Sequence, residues 1–170
     1  MLGMLFWTLT GERNGAAALF ESATARARQP HWFVEGGVPD TIDGRFAMLA
    51  TIIALAIARL EQLGEAGVAA SAALTERFIE VMESEHREFG LGDPKLGRTV
   101  RKLVGALSRR VALWRSALAG QREWREATRE SLYKGDAPPY ALEHSAAALQ
   151  RLWTAIGAAE LPALIGGKLE

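Results

Sequence analysis

From Phe46 to Ala58 every residue is apolar except Thr51, and this run constrains the fold more than any other feature. It is too short to span a bilayer, which takes about 18 or more apolar residues. It lies between Arg45 and Arg59. A helix apolar on nearly every side must be enclosed by other elements. The run therefore predicts a central helix, from about Asp43 to Leu63, with the rest of the chain wrapped around it. A chain of 170 residues is long enough to do so as one domain, burying roughly 70% of its unfolded surface.

The surrounding elements also read as helices, and no run alternates in the manner of a strand. Asn14 can cap a first helix that ends near Arg28, before Pro30. After the irregular stretch Pro30–Pro39, Asp40 is the expected N-cap of the central helix, with Asp43 favoured by its dipole. A third helix is expected from Ser71 to Phe89, and Gly90 stands where a left-handed residue ends a helix. Asp93 is then the expected cap of a fourth, Pro94 to Ala119. A fifth spans Gln121–Tyr133, a sixth Tyr140–Ile156, and a short turn Leu161–Ile165 closes the chain. The expected fold is all-α: a compact bundle of about six helices in a single domain. An apolar N-terminal segment (residues 1–13) precedes the helical body (14–166), and a tail (167–170) follows it.

Composition excludes several chemistries. Cysteine is absent, which removes disulfides, thiolate nucleophiles and Cys-based metal sites. His31, His86 and His144 are dispersed. Glu83 and His86 form one Glu-x-x-His pair, but a di-iron bundle needs a second copy. Asp40–Gly44 lacks the carboxylate spacing of a calcium loop. No nucleophile elbow or phosphate-cradling glycine loop occurs. The expectation is no catalytic residue, no metal and no cofactor. Glu85 interrupts the apolar stripe of the third helix, so it must be paired, exposed or at an interface.

Charge is balanced overall, with 20 basic and 20 acidic residues, but it is segregated along the chain. Glu61–Asp93 holds eight acids against two basic residues, and Pro94–Lys134 eleven basic residues against three acids. Lys95, Arg98, Lys102 and Arg109, flanked by Arg101 and Arg110, form a basic face on the fourth helix. It has three readings: a solvated face, a contact for anionic lipid headgroups, or a contact for RNA phosphates such as a ribosome's. No aromatic platform accompanies it, so sequence-specific nucleic-acid reading is not expected. Met1–Leu9 has no basic leader and no small-residue cleavage pattern. It is expected either to pack on the domain or to insert at a membrane interface or partner groove. The expected location is cytoplasmic, with peripheral attachment to the inner membrane as the alternative.

Two segments carry a resemblance. Gly37-Val38-Pro39-Asp40-Thr41-Ile42-Asp43-Gly44-Arg45-Phe46 resembles the signature of the ubiquinol–cytochrome c chaperone family. Arg87-Glu88-Phe89-Gly90-Leu91-Gly92-Asp93, followed by Gly97 and Val100-Arg101-Lys102, resembles its second signature. Ala27-Arg28-Gln29-Pro30 and Leu132-Tyr133 also fit, whereas His86 and Ser131 depart from the pattern. The resemblance implies an all-helical, non-enzymatic factor that binds nascent or unassembled cytochrome b during assembly of ubiquinol–cytochrome c reductase, alone or with a second assembly factor. It marks Pro39, Asp40, Asp43, Arg45, Phe46, Arg87, Glu88 and Asp93 as candidate partner contacts. Helix capping and ion pairing are the competing reading of the same side chains. A different function for the chain is a membrane- or ribosome-associated adaptor that uses the basic face and holds no client.

Overall fold

The structure, a computed structural model, describes residues 16–88, 90 and 92–170. These are all-helical. Helix α1 covers residues 16–27, and a 3-10 turn, Pro30–Trp32, follows it. Then come α2 (Ile42–Leu60), α3 (Gly64–Glu88), α4 (Asp93–Leu118), α5 (Trp124–Leu132), α6 (Pro139–Ala158) and α7 (Leu161–Ile165). The apolar N-terminal segment, Asn14, Phe89 and Leu91 lie outside the described residues.

Helix α2 is the axis, and α3, α4, α5 and α6 all pack on it. Met48, Ala50, Ile52–Leu55 and Leu60 are at most 1% exposed, as a helix apolar all round requires. Its partners bury single stripes. On α3 these are Leu74, Phe78 and Met82; on α4, Leu107, Val111 and Trp114. Leu169 joins the same core, and its carbonyl accepts from Arg26 at 2.6 Å, so residues 167–170 are tied to α1.

Thr51, the lone polar residue of the apolar run, is wholly buried and satisfied. Its hydroxyl donates to the Ala47 carbonyl at 2.7 Å, leaving Oγ1 to accept from Ser131 at 2.6 Å. Ser131 Oγ in turn accepts from the Trp114 indole N–H at 3.2 Å. This relay ties α2, α4 and α5 at one point and leaves none of its three groups unpaired, as burial demands.

Several expected boundaries move. Helix α3 begins at Gly64, not Ser71, because the glycine-containing stretch 64–70 helps it pack. A Cβ on Gly67 would lie 2.0 Å from the Leu60 carbonyl oxygen, so the start of α3 presses on the end of α2. Asp40 is not the cap of α2. Thr41 is, its Oγ1 accepting from the Gly44 N–H at 3.1 Å. Asp93 is not a cap either: Gly92 holds that position and Asp93 is the first helical residue. Its carboxylate still faces a favourable dipole. Gly90 does take the left-handed conformation, with φ 78°. Helix α5 starts at Trp124 rather than Gln121.

Candidate functional site

One end of the bundle gathers most of the signature residues. The loop 33–41 reaches it from the 3-10 turn, α2 starts from it, and the 133–141 segment runs beside it. Four contacts fix the arrangement. The Tyr133 hydroxyl is 2.5 Å from the Gly36 carbonyl oxygen and 2.9 Å from Ser145 Oγ. Lys134 Nζ donates to Asp43 at 2.5 Å. A Cβ on Gly37 would sit 3.2 Å from Ala141 Cβ. Burial pushes the Tyr133 phenol above its ordinary pKa, with Ser145 pulling weakly the other way. The phenol therefore stays protonated and holds its donor role.

A pair of histidines anchors the same loop from below. His31 Nδ1 lies 3.0 Å from His144 Nε2, and His31 Nε2 lies 3.2 Å from Gln29 Oε1. An amide oxygen only accepts, so neutral His31 donates from Nε2 and accepts a hydrogen bond from His144 Nε2–H at Nδ1. Burial, and next the neighbouring His144, lower the His31 pKa; Glu35 opposes them.

On this frame stand the signature side chains. Asp40 accepts from Arg45 Nε at 2.7 Å, and that hydrogen bond lowers the Asp40 pKa. Both groups are well exposed, so the pair orients side chains more than it stabilises the fold. Pro39 is exposed above Gly44. Phe46 is half-buried, its ring 6.0 Å from that of Phe78. Among the described residues, four large apolar side chains are strongly exposed, and three stand here: Val34 (74%), Ile42 (82%) and Tyr140 (72%). Sequence reasoning missed all three. Ile42 is the first residue of a helix that is mostly buried beyond Phe46, and nothing local marks its side chain as exposed. These three side chains stand on the loop 33–41, the start of α2 and the start of α6, and two exposed ion pairs, Asp40–Arg45 and Asp43–Lys134, lie on the same segments.

Arg87, Glu88 and Asp93 lie elsewhere on the same end. They are exposed at the tip of the α3–α4 hairpin. Phe78 marks the level of Phe46, and Glu88 lies about 15 Å further along α3. The two signatures therefore form two separate surfaces. Glu85, on the same arm, is exposed.

The basic residues divide. Lys95, Arg98, Arg101, Lys102 and Arg109 are exposed. Arg110 is not on their face: it turns inward, donating twice to the Ser131 carbonyl at 2.9 and 3.1 Å and once to Ala106. Its guanidinium carbon stands 5.7 Å from the centre of the Phe46 ring. Burial, and next Arg109, lower its pKa, although a guanidinium stays charged. Arg110 thus links the signature residue Phe46 to the buried Ser131 relay.

Among the described residues, no group of three or more His, Asp or Glu side chains converges to hold a metal ion. A shallow concavity lies on α6, lined by Ala147, Gln150, Arg151, Thr154 and Ala155, none of which belongs to either signature. No helix of the described residues is long and apolar enough to cross a membrane.

Residues 34–169 match a family model described as ubiquinol–cytochrome C chaperone. The fold matches the crystal structure of the Cbp3 homolog from Brucella abortus with a TM-score of 0.77 and 25% sequence identity, covering 98% of this chain and 94% of that one. No curated protein sequence matches the chain.

Proposed function

The chain belongs to the ubiquinol–cytochrome C chaperone family, and from that premise we propose that it holds newly made cytochrome b without catalysing a reaction. The observation that carries this reading is the strong exposure of Val34, Ile42 and Tyr140, on the first signature segment and on the two segments that pack beside it. Large apolar side chains are left in water where a partner covers them. A membrane subunit waiting for assembly offers apolar segments that need such cover.

The charges support surface recognition. Asp40 and Asp43 each face a basic partner, Arg45 and Lys134. Such pairs edge an apolar contact, exclude mismatched partners and set its register. Burying each large apolar side chain is worth about 1.5–3 kcal/mol. Association and ordering costs offset most of the sum, which leaves a complex that can release its client. The exposed hairpin tip with Arg87, Glu88 and Asp93 is a second contact surface, for the client or an accompanying assembly factor.

The test is deletion of the gene, followed by reduced-minus-oxidised haem spectra of the membranes. The b-type haem signal falls on this reading. An unchanged signal contradicts it.

A further inference from the structure

We infer that the outward face of α4 is a docking surface for an anionic phospholipid bilayer. Lys95, Arg98, Arg101, Lys102 and Arg109 are all exposed, and none forms an ion pair among the described residues. At about 100° per residue they fall within a sector roughly 120° wide. That sector is centred opposite the buried stripe Leu96, Val100, Leu107, Val111 and Trp114. The five cations therefore point away from the bundle together, along about 21 Å of one helix.

The chemistry of the face selects the partner. No acid interrupts it between Lys95 and Arg115. Gly105 and Ala112 lie between the cations on the wheel and keep the relief low. Five charges on one straight ridge meet a flat anionic sheet at the same time. The face carries no aromatic side chain for base stacking, and its arginines have no partner that would demand bidentate geometry. It thus offers charge density alone, which is what a headgroup layer reads. The acidic exposed residues of the neighbouring α3, Glu76, Glu80 and Glu83, are repelled by the same layer. Electrostatics then turn the hairpin with α4 against the lipid and α3 away from it. This inference rests on α4 and stands apart from the proposed client contacts at Val34, Ile42 and Tyr140.

The experiment is co-sedimentation of the full chain with vesicles. One set is phosphatidylcholine with one third phosphatidylglycerol, and the other is phosphatidylcholine alone. Binding to the anionic set is expected, and it is lost between roughly 0.1 and 1 M salt as the Debye length shortens from about 10 to about 3 Å. Each basic residue near such a surface is worth about a fivefold change in partition. The triple substitution Arg98→Glu, Lys102→Glu and Arg109→Glu therefore weakens binding by about 100-fold or more. All three side chains are exposed, so the thermal midpoint serves as the folding control. Arg98→Lys with Arg109→Lys keeps binding, because lipid reads charge rather than guanidinium shape. Equal binding to neutral vesicles, binding indifferent to salt, or an unaffected triple variant overturns the inference. So does charge-dependent binding to homopolymeric RNA, or to a second copy of the chain, with none to anionic vesicles.

Discussion

Substituting Gly44 by alanine separates two effects of opposite sign. Within a helix, Gly→Ala normally stabilises by about 1 kcal/mol. At Gly44 the new Cβ would lie 1.8 Å from the Pro39 carbonyl oxygen and 2.9 Å from its carbonyl carbon. That obstacle is backbone, held by the Thr41 cap on the Gly44 N–H and by the Asp40–Arg45 pair. The loop has to move by more than 1 Å, as judged from ordinary carbon–oxygen packing distances of roughly 3.5 Å. Overpacking of this kind costs about 1–3 kcal/mol, and losing the cap costs about 1 more. The net effect is a loss of about 1–3 kcal/mol. Gly105 provides the control, since a Cβ there meets only the flexible end of Arg109 at 3.5 Å. Gly105→Ala should therefore gain up to about 1 kcal/mol. Thermal unfolding resolves the contrast at about 2–4 °C per kcal/mol for a chain of this size. Gly44→Ala melts lower than the parent and Gly105→Ala melts at or above it. A Gly44→Ala protein as stable as the parent would refute the proposed contact between loop and helix.

Other outcomes follow from the same contacts. Ser131→Ala strands the buried Trp114 N–H and costs about 1–3 kcal/mol. Thr51→Val leaves that bond in place, so it costs less, and urea denaturation of the two variants checks the order. Stability should fall as pH drops below about 6.5. The folded His31 binds its proton less readily than the unfolded one, so the unfolded state takes up more protons in that range. Urea midpoints measured across that range should give a shallower slope for His31→Gln. Tyr133→Phe frees the Gly36 carbonyl and raises amide exchange in the loop 33–41, measured by hydrogen–deuterium exchange, while α2 stays protected.

Much of the bundle was legible in the sequence because the strongest signal was also the most global. An apolar run without a polar side predicts a helix with neighbours all round, and α2 has them. Turn chemistry was legible to within a residue. Position 40 or 41 can cap α2, and the outcome depends on which oxygen reaches the Gly44 N–H, a matter of loop geometry. Arg110 carried a usable signal. On the wheel it lies about 60° from Leu107, nearer the buried stripe than Arg109 does, so its inward turn was readable from the spacing. The candidate site was less legible. Tyr133 with Gly36 and His31 with His144 are separated by 97 and 113 residues, and no local pattern announces such pairs. Ile42 lies just before the expected start of the central helix and Tyr140 at that of the sixth, and nothing in the sequence sets either apart. Only the packed structure shows how strongly both are exposed.

The central proposal is that unassembled cytochrome b docks on the exposed side chains Val34, Ile42 and Tyr140. The direct measurement is capture of cytochrome b from membranes by the tagged full chain, compared with Ile42→Asp combined with Tyr140→Asp. Both side chains are exposed, so the fold is retained and a circular dichroism spectrum confirms it. Removing two apolar contacts of about 1.5–3 kcal/mol each should lower the amount captured by at least tenfold. Equal capture by the parent and the double variant would contradict the account.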